Sequence, residues 1–279
     1  MFRRCAVASR AAAASVACAY LQRHAWNEAR NDKFPKPFII VSPTFYPSLD
    51  DCRCLLGLQS CRVATALGVQ LLLVDASPEP VREALKLAGA TVLPQTYKGR
   101  KGAALREVVS AAAAQLPPDG VICYQELEKV EMIPLQAEVA HYIIRSGSDF
   151  CVPRRADSLF QQSYPIEQYH SENFVNLYLD ALANEIGFPS VDWTFGPVAF
   201  RASYAQEYLD FDGELWDAQI VPMIRAFVRL GARVSSCVVE YGHPIEMKAD
   251  EEGGVRWSEK RLEQLNFLFR HVASELKKR

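Results

Sequence analysis

The stretch Val121-Ile122-Cys123-Tyr124-Gln125-Glu126-Leu127-Glu128-Lys129 runs from an apolar tetrad straight into two carboxylates one residue apart. Four apolar residues between Gly120 and a polar turn read as a short buried strand. The carboxyl end of such a strand opens at the edge of a sheet, where open α/β folds bind their ligands. Glu126 and Glu128 would leave that edge together on an irregular turn and could share one hard cation. One or two carboxylates plus substrate phosphates is the usual magnesium arrangement. Taken by itself, E-x-E reads as a solvated acidic turn, so its weight comes from the elements on either side.

Upstream, Pro35 and Pro37 precede the apolar run Phe38 to Val41, a buried strand that Ser42, Pro43 and Thr44 break. Cys52 to Leu67 reads as a helix stopped by Gly68. Val69 to Val74 is a second strand, ended by Asp75. Ser77 and Pro78 suit the cap and first position of a helix that runs to Ala88 and stops at Gly89. Ala90 to Leu93 is a third strand. The basic run Lys98-Gly99-Arg100-Lys101-Gly102 then opens a helix over Ala103 to Leu116, and Gly120 to Tyr124 is the fourth strand. Strands alternating with helices of this length imply βαβ units and a mostly parallel sheet.

Downstream the regularity fades. Past Pro134 a helix runs to Arg145 and leads to a strand over Asp149 to Val152, and Ile166 to Ile186 forms a long helix. Val191 to Phe200 is a loop entering a strand, Leu215 to Leu230 a helix, and Arg233 to Tyr241 a β-branched strand. An acidic loop follows from Asp250 to Gly254, and Ser258 caps a last helix to Leu276. The chain divides into a leader (1–34), a regular half (35–150) and a mixed half (151–279).

Composition narrows the function classes. With 31 basic and 33 acidic residues among 279, no global charge draws nucleic acid or a membrane surface. No apolar stretch reaches the roughly 18 to 20 residues that span a bilayer. Eight cysteines are scattered rather than framed, which suits free thiols in a reducing compartment. Cys123 and Cys237 sit in strand-like runs as small core residues. Cys52, Cys54 and Cys61 lack the paired C-x-x-C spacing of zinc sites. No G-x-S-x-G or P-loop motif is present. Residues 1–23 carry Arg3, Arg4, Arg10 and Arg23, are rich in Ala and Ser, and contain no acid. That is transit-peptide composition and would give a mitochondrial location. An Ala-rich helix packed on the domain, in a cytoplasmic protein, is the other reading.

In order, F-I-I-V-S-P-T-F, L-L-L-V-D-A-S, K-G-R-K-G-A-A-L-R, Y-Q-E-L-E-K, F-G-P-V-A-F-R and L-W-D-A-Q-I-V-P resemble the GT-A glycosyltransferases, in particular their family 2-like group. The resemblance spans roughly Phe38 to Pro244. It implies an α/β fold with a mostly parallel central sheet of nucleotide-diphospho-sugar transferase type and a mixed acceptor-side half. Residues 35–150 would bind the nucleotide sugar, and 151–279 the acceptor. The activity implied is transfer of a sugar from a nucleotide diphosphate sugar to a small-molecule or glycan acceptor, assisted by magnesium or manganese.

Residue by residue, the resemblance places Ser42, Pro43 and Thr44 beside the base and ribose. Asp75 would bond the base, or equally cap a turn. Lys98, Arg100 and Lys101 would neutralise the diphosphate at a helix start, where backbone N–H groups already favour anions. Glu126 and Glu128 stand where the family has D-x-D, one methylene longer on each side. Gly196, within Trp193 to Arg201, would let backbone approach the sugar. Asp217 aligns with the base of inverting members, or caps the helix that follows it. His243 matches a third metal or diphosphate ligand. Tyr164, Tyr169, Trp193, Phe195 and Trp216 could floor a sugar pocket or belong to the core. Two rival functions remain. A nucleotidyltransferase would need a G-x-G-T-R-like loop where S-P-T-F-Y-P stands, and a non-catalytic scaffold is kept open by the altered E-x-E and adjacent Lys129.

The leader makes a separable prediction. A fluorescent fusion lacking residues 1–30 is expected to lose organelle import that the full chain shows, and an unchanged distribution would rule the transit-peptide reading out.

Overall fold

A computed structural model describes residues 37–251 and 255–278; the leader expectation lies outside them. The regular half alternates as read: β1 (Phe38–Thr44), α1 (Cys52–Leu67), β2 (Leu71–Asp75), α2 (Glu79–Leu87), β3 (Thr91–Pro94), α3 (Lys101–Ala113) and β4 (Val121–Tyr124). Next come α4 (Met132–Ser146), β5 (Phe150–Arg155), α5 (Asp157–Ser163), α6 (Ile166–Asn184), β6 (Val198–Arg201), a 3-10 turn (Ala202–Tyr204) and α7 (Ala205–Leu209). The chain closes with α8 (Asp217–Leu230), β7 (Val234–Val239), α9 (Ile245–Glu251) and α10 (Val255–Leu276).

Local chemistry sets most boundaries. Asp51 caps α1 by accepting from the backbone N–H of Arg53 and Cys54, and Gly68 ends the helix in the left-handed region. Four details differ from the sequence reading. Ser77 does not cap α2, because its hydroxyl donates to Asp75 at 2.8 Å and accepts from the Tyr46 N–H at 2.8 Å. Pro134 lies inside the first turn of α4, where its missing N–H costs nothing. Ser258 sits within α10, and Asp250 belongs to α9 rather than to a loop.

Among the described residues seven strands lie in the order β3-β2-β1-β4-β6-β5-β7. Only β6 is antiparallel to its neighbours, β4 and β5. Alternate residues of β1 serve opposite faces: Ile40 joins Cys54, Leu58, Leu85 and Ile133 on one side. Ile39 and Val41 join Val108, Leu179, Ile224 and Leu268 on the other. The sheet is therefore a buried middle layer between helices, as its near-continuous apolar strands require. Because β6 from the second half inserts between β4 and β5, the two halves share one sheet. The strand order reverses between β1 and β4, the topological switch point at which open α/β sheets form a ligand crevice.

Cys54 and Cys61 are core thiols that burial pushes up to about 11 and about 12, while Cys52 is exposed, so the three do not form a metal group. Cys123 is fully buried in β4, and Cys237 is half-buried on β7. Among the described residues no helix is long and apolar enough to cross a membrane.

The second glycine of the basic run is explained by packing. A Cβ on Gly102 would stand 1.9 Å from the Gly213 carbonyl oxygen and 2.7 Å from the Glu214 Cα. Backbone on both sides leaves nothing to yield. Gly102→Ala is expected to lower stability by about 1–3 kcal/mol despite alanine's better helix propensity, read by urea unfolding.

Candidate active site

Two cavities meet at the carboxyl edge of the sheet. The first, about 670 Å³, is walled by the ends of β1 and β2 (Pro43, Thr44, Ala76), by Phe45, and by the segment from Gln95 to Lys101. The second, about 230 Å³, is walled by the loop before β6, by Tyr164, Tyr241 and His243, and by one face of α10. Arg53, Lys101, Glu126 and Glu128 line both.

The turn after β4 places the carboxylates. Leu127 is fully buried, and its carbonyl accepts from the Ser60 hydroxyl at 2.5 Å. Gln125, also buried, accepts from the Gln136 amide at 3.1 Å and donates to the Lys129 carbonyl at 3.2 Å. With Gln125 and Leu127 held inward, Glu126 and Glu128 face the cavities. Gly196 packs directly on Glu126: its φ is +99°, and a Cβ there would lie 2.6 Å from both Glu126 oxygens. Burial raises the Glu128 carboxyl above its ordinary range, and the neighbouring Glu126 charge adds to this. Glu126 Oε2 is buried without a hydrogen-bond partner among the described residues. Two crowded carboxylates, one with an unanswered oxygen, suit a hard divalent cation that also takes oxygens from a bound phosphate.

Lys129 stands 3.9 Å from Glu126 Oε2, with its ammonium 5.2 Å from the Phe195 ring centre and 5.6 Å from that of Tyr241. Burial alone would lower its pKa, but Tyr164, Glu126 and Glu128 together hold it above the ordinary value. It stays a cation beside the pair.

The other expected residues divide. Pro43, Thr44, Lys98, Arg100 and Lys101 line the first cavity, and Gly196 the second. Arg100 is engaged, pairing with Glu214 at 2.5 Å. Ser42 and Asp75 are fully buried and line neither cavity. Asp75 accepts from the Thr44 hydroxyl at 2.6 Å and from the backbone N–H and hydroxyl of Ser77. It therefore stitches β1 to β2, the turn-residue alternative. Asp217 is not brought to the site either. Its carboxylate turns back to accept from the Leu215 N–H at 2.9 Å and is buried beneath the loop at Gly213. Its neighbours Trp216 and Gln219 line the second cavity instead.

His243 lines that cavity, but no group of three or more His, Cys, Asp or Glu side chains suited to a metal forms among the described residues. The ring stacks on Tyr164 at 4.2 Å, and its Nε2 faces Glu251 at 3.6 Å. Of the aromatic residues, Tyr164, Trp193, Phe195 and Trp216 reach the second cavity, whereas the Tyr169 hydroxyl donates to Asp157.

Two features escape sequence reading. Arg53, in the first turn of α1, stands over both cavities and pairs with Glu251 at 3.4 Å. Arg155, at the end of β5, is buried; it donates to Asp192 and Glu172 at 2.7 Å and to the Thr194 hydroxyl at 3.0 Å. Asn176 completes the network, donating to Asp192 and accepting from the Trp193 N–H. This network holds the loop carrying Trp193 to Gly196. Nothing local marks it, since its members come from β5, α6 and a loop.

No known protein-family profile matches the sequence, and no curated protein matches it. Solved structures do match. Mannosyl-3-phosphoglycerate synthase from Rubrobacter xylanophilus superposes with a TM-score of 0.51 over 87% of this chain and 75% of that one, at 13% identity. Glucosyl-3-phosphoglycerate synthase from Mycobacterium tuberculosis, in complex with phosphoglyceric acid, gives 0.49 over 76% and 74%, at 17% identity. A CMP:2-keto-3-deoxy-manno-octonic acid synthetase complexed with CTP gives 0.45 over 84% and 99%, at 11% identity. The fold is that of the GT-A nucleotide-diphospho-sugar transferases.

The Arg155 network carries a stability prediction with a definite pH sign. Burial would raise the Asp192 carboxyl, but the Arg155 guanidinium outweighs it and holds the group below its usual range. A depressed folded pKa contributes stability above the unfolded value, near 4, and loses it as pH falls through the folded one. Arg155→Met strands two buried carboxylates and is expected to cost about 3–5 kcal/mol at pH 7. The gap to wild type, measured by urea unfolding, should narrow as pH drops through the carboxylate range. A gap that stays constant would assign the loss to packing alone.

Proposed function

We propose that this protein is a glycosyltransferase that moves a sugar from a nucleotide diphosphate sugar to an acceptor, with Glu126 and Glu128 holding a divalent cation, magnesium or manganese. The observation that carries this reading is the placement of the pair in the wall common to two cavities. The larger cavity, at the ends of β1 and β2, suits the nucleotide, and the smaller suits the acceptor. The reacting centre would lie where they join.

Phe45, 64% exposed on the wall of the larger cavity, offers a flat face to a base. Lys98 and Lys101 line the same wall with no carboxylate within 4.0 Å among the described residues, so their charge is free for a diphosphate. Arg53 faces it from the opposite side. During transfer the acceptor oxygen bonds to the anomeric carbon, the bond to the diphosphate breaks with its electron pair, and the hydroxyl proton is released. The cation, when bound, neutralises charge on the departing diphosphate. Arg53, Lys98 and Lys101 do the same from fixed positions, which is worth about 3–4 kcal/mol for a preorganised donor.

Thermal shift of the full chain with UDP-, GDP- and CDP-sugars, with and without manganese, tests this reading. One donor at a hundredfold excess over its dissociation constant adds about 2.7 kcal/mol, a rise of roughly 5–10 °C for a domain of this size. The rise is expected to need manganese and to vanish in Glu126→Gln/Glu128→Gln, with nucleoside diphosphate release down about a hundred- to thousandfold. No rise with any donor would favour the non-catalytic scaffold, and pyrophosphate release would favour a nucleotidyltransferase.

A further inference from the structure

The smaller cavity carries polar groups that the protein itself leaves unanswered. The hydroxyls of Tyr164 and Tyr241, Nδ1 of His243 and Oε2 of Glu126 are all buried without a hydrogen-bond partner among the described residues. All four side chains line this one cavity. Tyr164 is 2% exposed and Tyr241 is fully buried. The His243 ring is held by its stack on Tyr164, and the 3.6 Å from its Nε2 to Glu251 is beyond ordinary hydrogen-bond length. Buried polar groups in folded proteins almost always find a partner, so four orphans converging on one space point to a ligand rich in donors and acceptors.

Size and surface narrow the ligand further. The cavity's 230 Å³ falls below the roughly 300–1,000 Å³ of sites for drug-sized molecules. The apolar side chains facing it include the rings of Trp193, Phe195 and Trp216 beside Ile220 and Met247, so flat aromatic faces are available. Such faces suit the C–H side of a polyol whose hydroxyls reach the tyrosines, the imidazole and the carboxylate.

We propose that this cavity binds one small polyhydroxylated unit, hexose-sized or smaller, and excludes lipid and polypeptide acceptors. Naming it the acceptor subsite rests on the transferase reading; the ligand class rests on the lining alone.

Saturation-transfer NMR on the full chain, without donor, tests it with glycerol, D-glucose, maltoheptaose and an octyl detergent as probes. Glycerol or glucose is expected to receive saturation, at least fivefold weaker with Tyr164→Phe/Tyr241→Phe. Those substitutions delete only unpartnered hydroxyls, so the thermal midpoint should not fall. His243→Phe, which keeps the ring stack, is the second variant and should weaken the same signals. Saturation confined to the terminal unit of maltoheptaose would identify a glycan end as the source; signals from the free polyols alone would identify a small metabolite. Both support the proposal. It is overturned if no hydroxylated probe responds, if neither variant weakens the response, or if the detergent alone responds. Polyol binding without any donor-induced thermal shift would count against the transferase reading and leave this subsite standing.

Discussion

Leu127 lies fully buried between two glutamates, and the geometry of the site follows from that burial. A leucine side chain in a dry core is worth about 1.5–3 kcal/mol, and its carbonyl is tied down by Ser60 from α1. With that residue pinned, its two neighbours must point away from the core. The open space they enter is the crevice at the switch point between β1 and β4. The two carboxylates are thus crowded into one wall by hydrophobic packing, and Gly196, at φ +99°, closes against Glu126, whose oxygens a Cβ there would meet at 2.6 Å.

Charge in the crevice is managed in pairs. Arg53 answers Glu251 and Arg155 answers both Glu172 and Asp192, while Lys129 stands 3.9 Å from Glu126 without a hydrogen bond to it. Buried charges left alone would cost several kcal/mol each, so this compensation lets a strongly polar site exist inside an ordinary α/β core. Among the described residues Lys98 and Lys101 on the wall of the larger cavity have no carboxylate partner, and the smaller cavity keeps the orphan hydroxyls of Tyr164 and Tyr241 and the His243 imidazole.

The regular half was legible in the chain because its signals are local. Gly68 stops α1, apolar tetrads mark β1, β2 and β4, and the carboxylate pair announces itself by ending a strand. Asp75, Asp217 and His243 show where this kind of reading stops. Each is a polar residue at an element's edge, and whether it faces a cavity or its own backbone depends on a hydroxyl or N–H a few residues away. Asp75 and Asp217 turned to such neighbours, Ser77 and Leu215, while His243 reached a cavity but not the carboxylate pair. Arg53 and Arg155 gave no signal because their partners lie 198 residues away in one case and 17 and 37 in the other.

By itself the sequence determined the alternation of strands and helices, the mostly parallel character of the sheet, and the turn that carries Glu126 and Glu128. These depend on periodicity, caps and stops within a few residues of one another. Tertiary structure decided that β6 would insert between β4 and β5, that the site would divide into two cavities, and which side chains would be left without partners. Those outcomes depend on which distant polar groups meet as the sheet closes. Hydrogen bonding is short-ranged and directional, so a donor's fate is settled only when the packed chain brings an acceptor within about 3 Å.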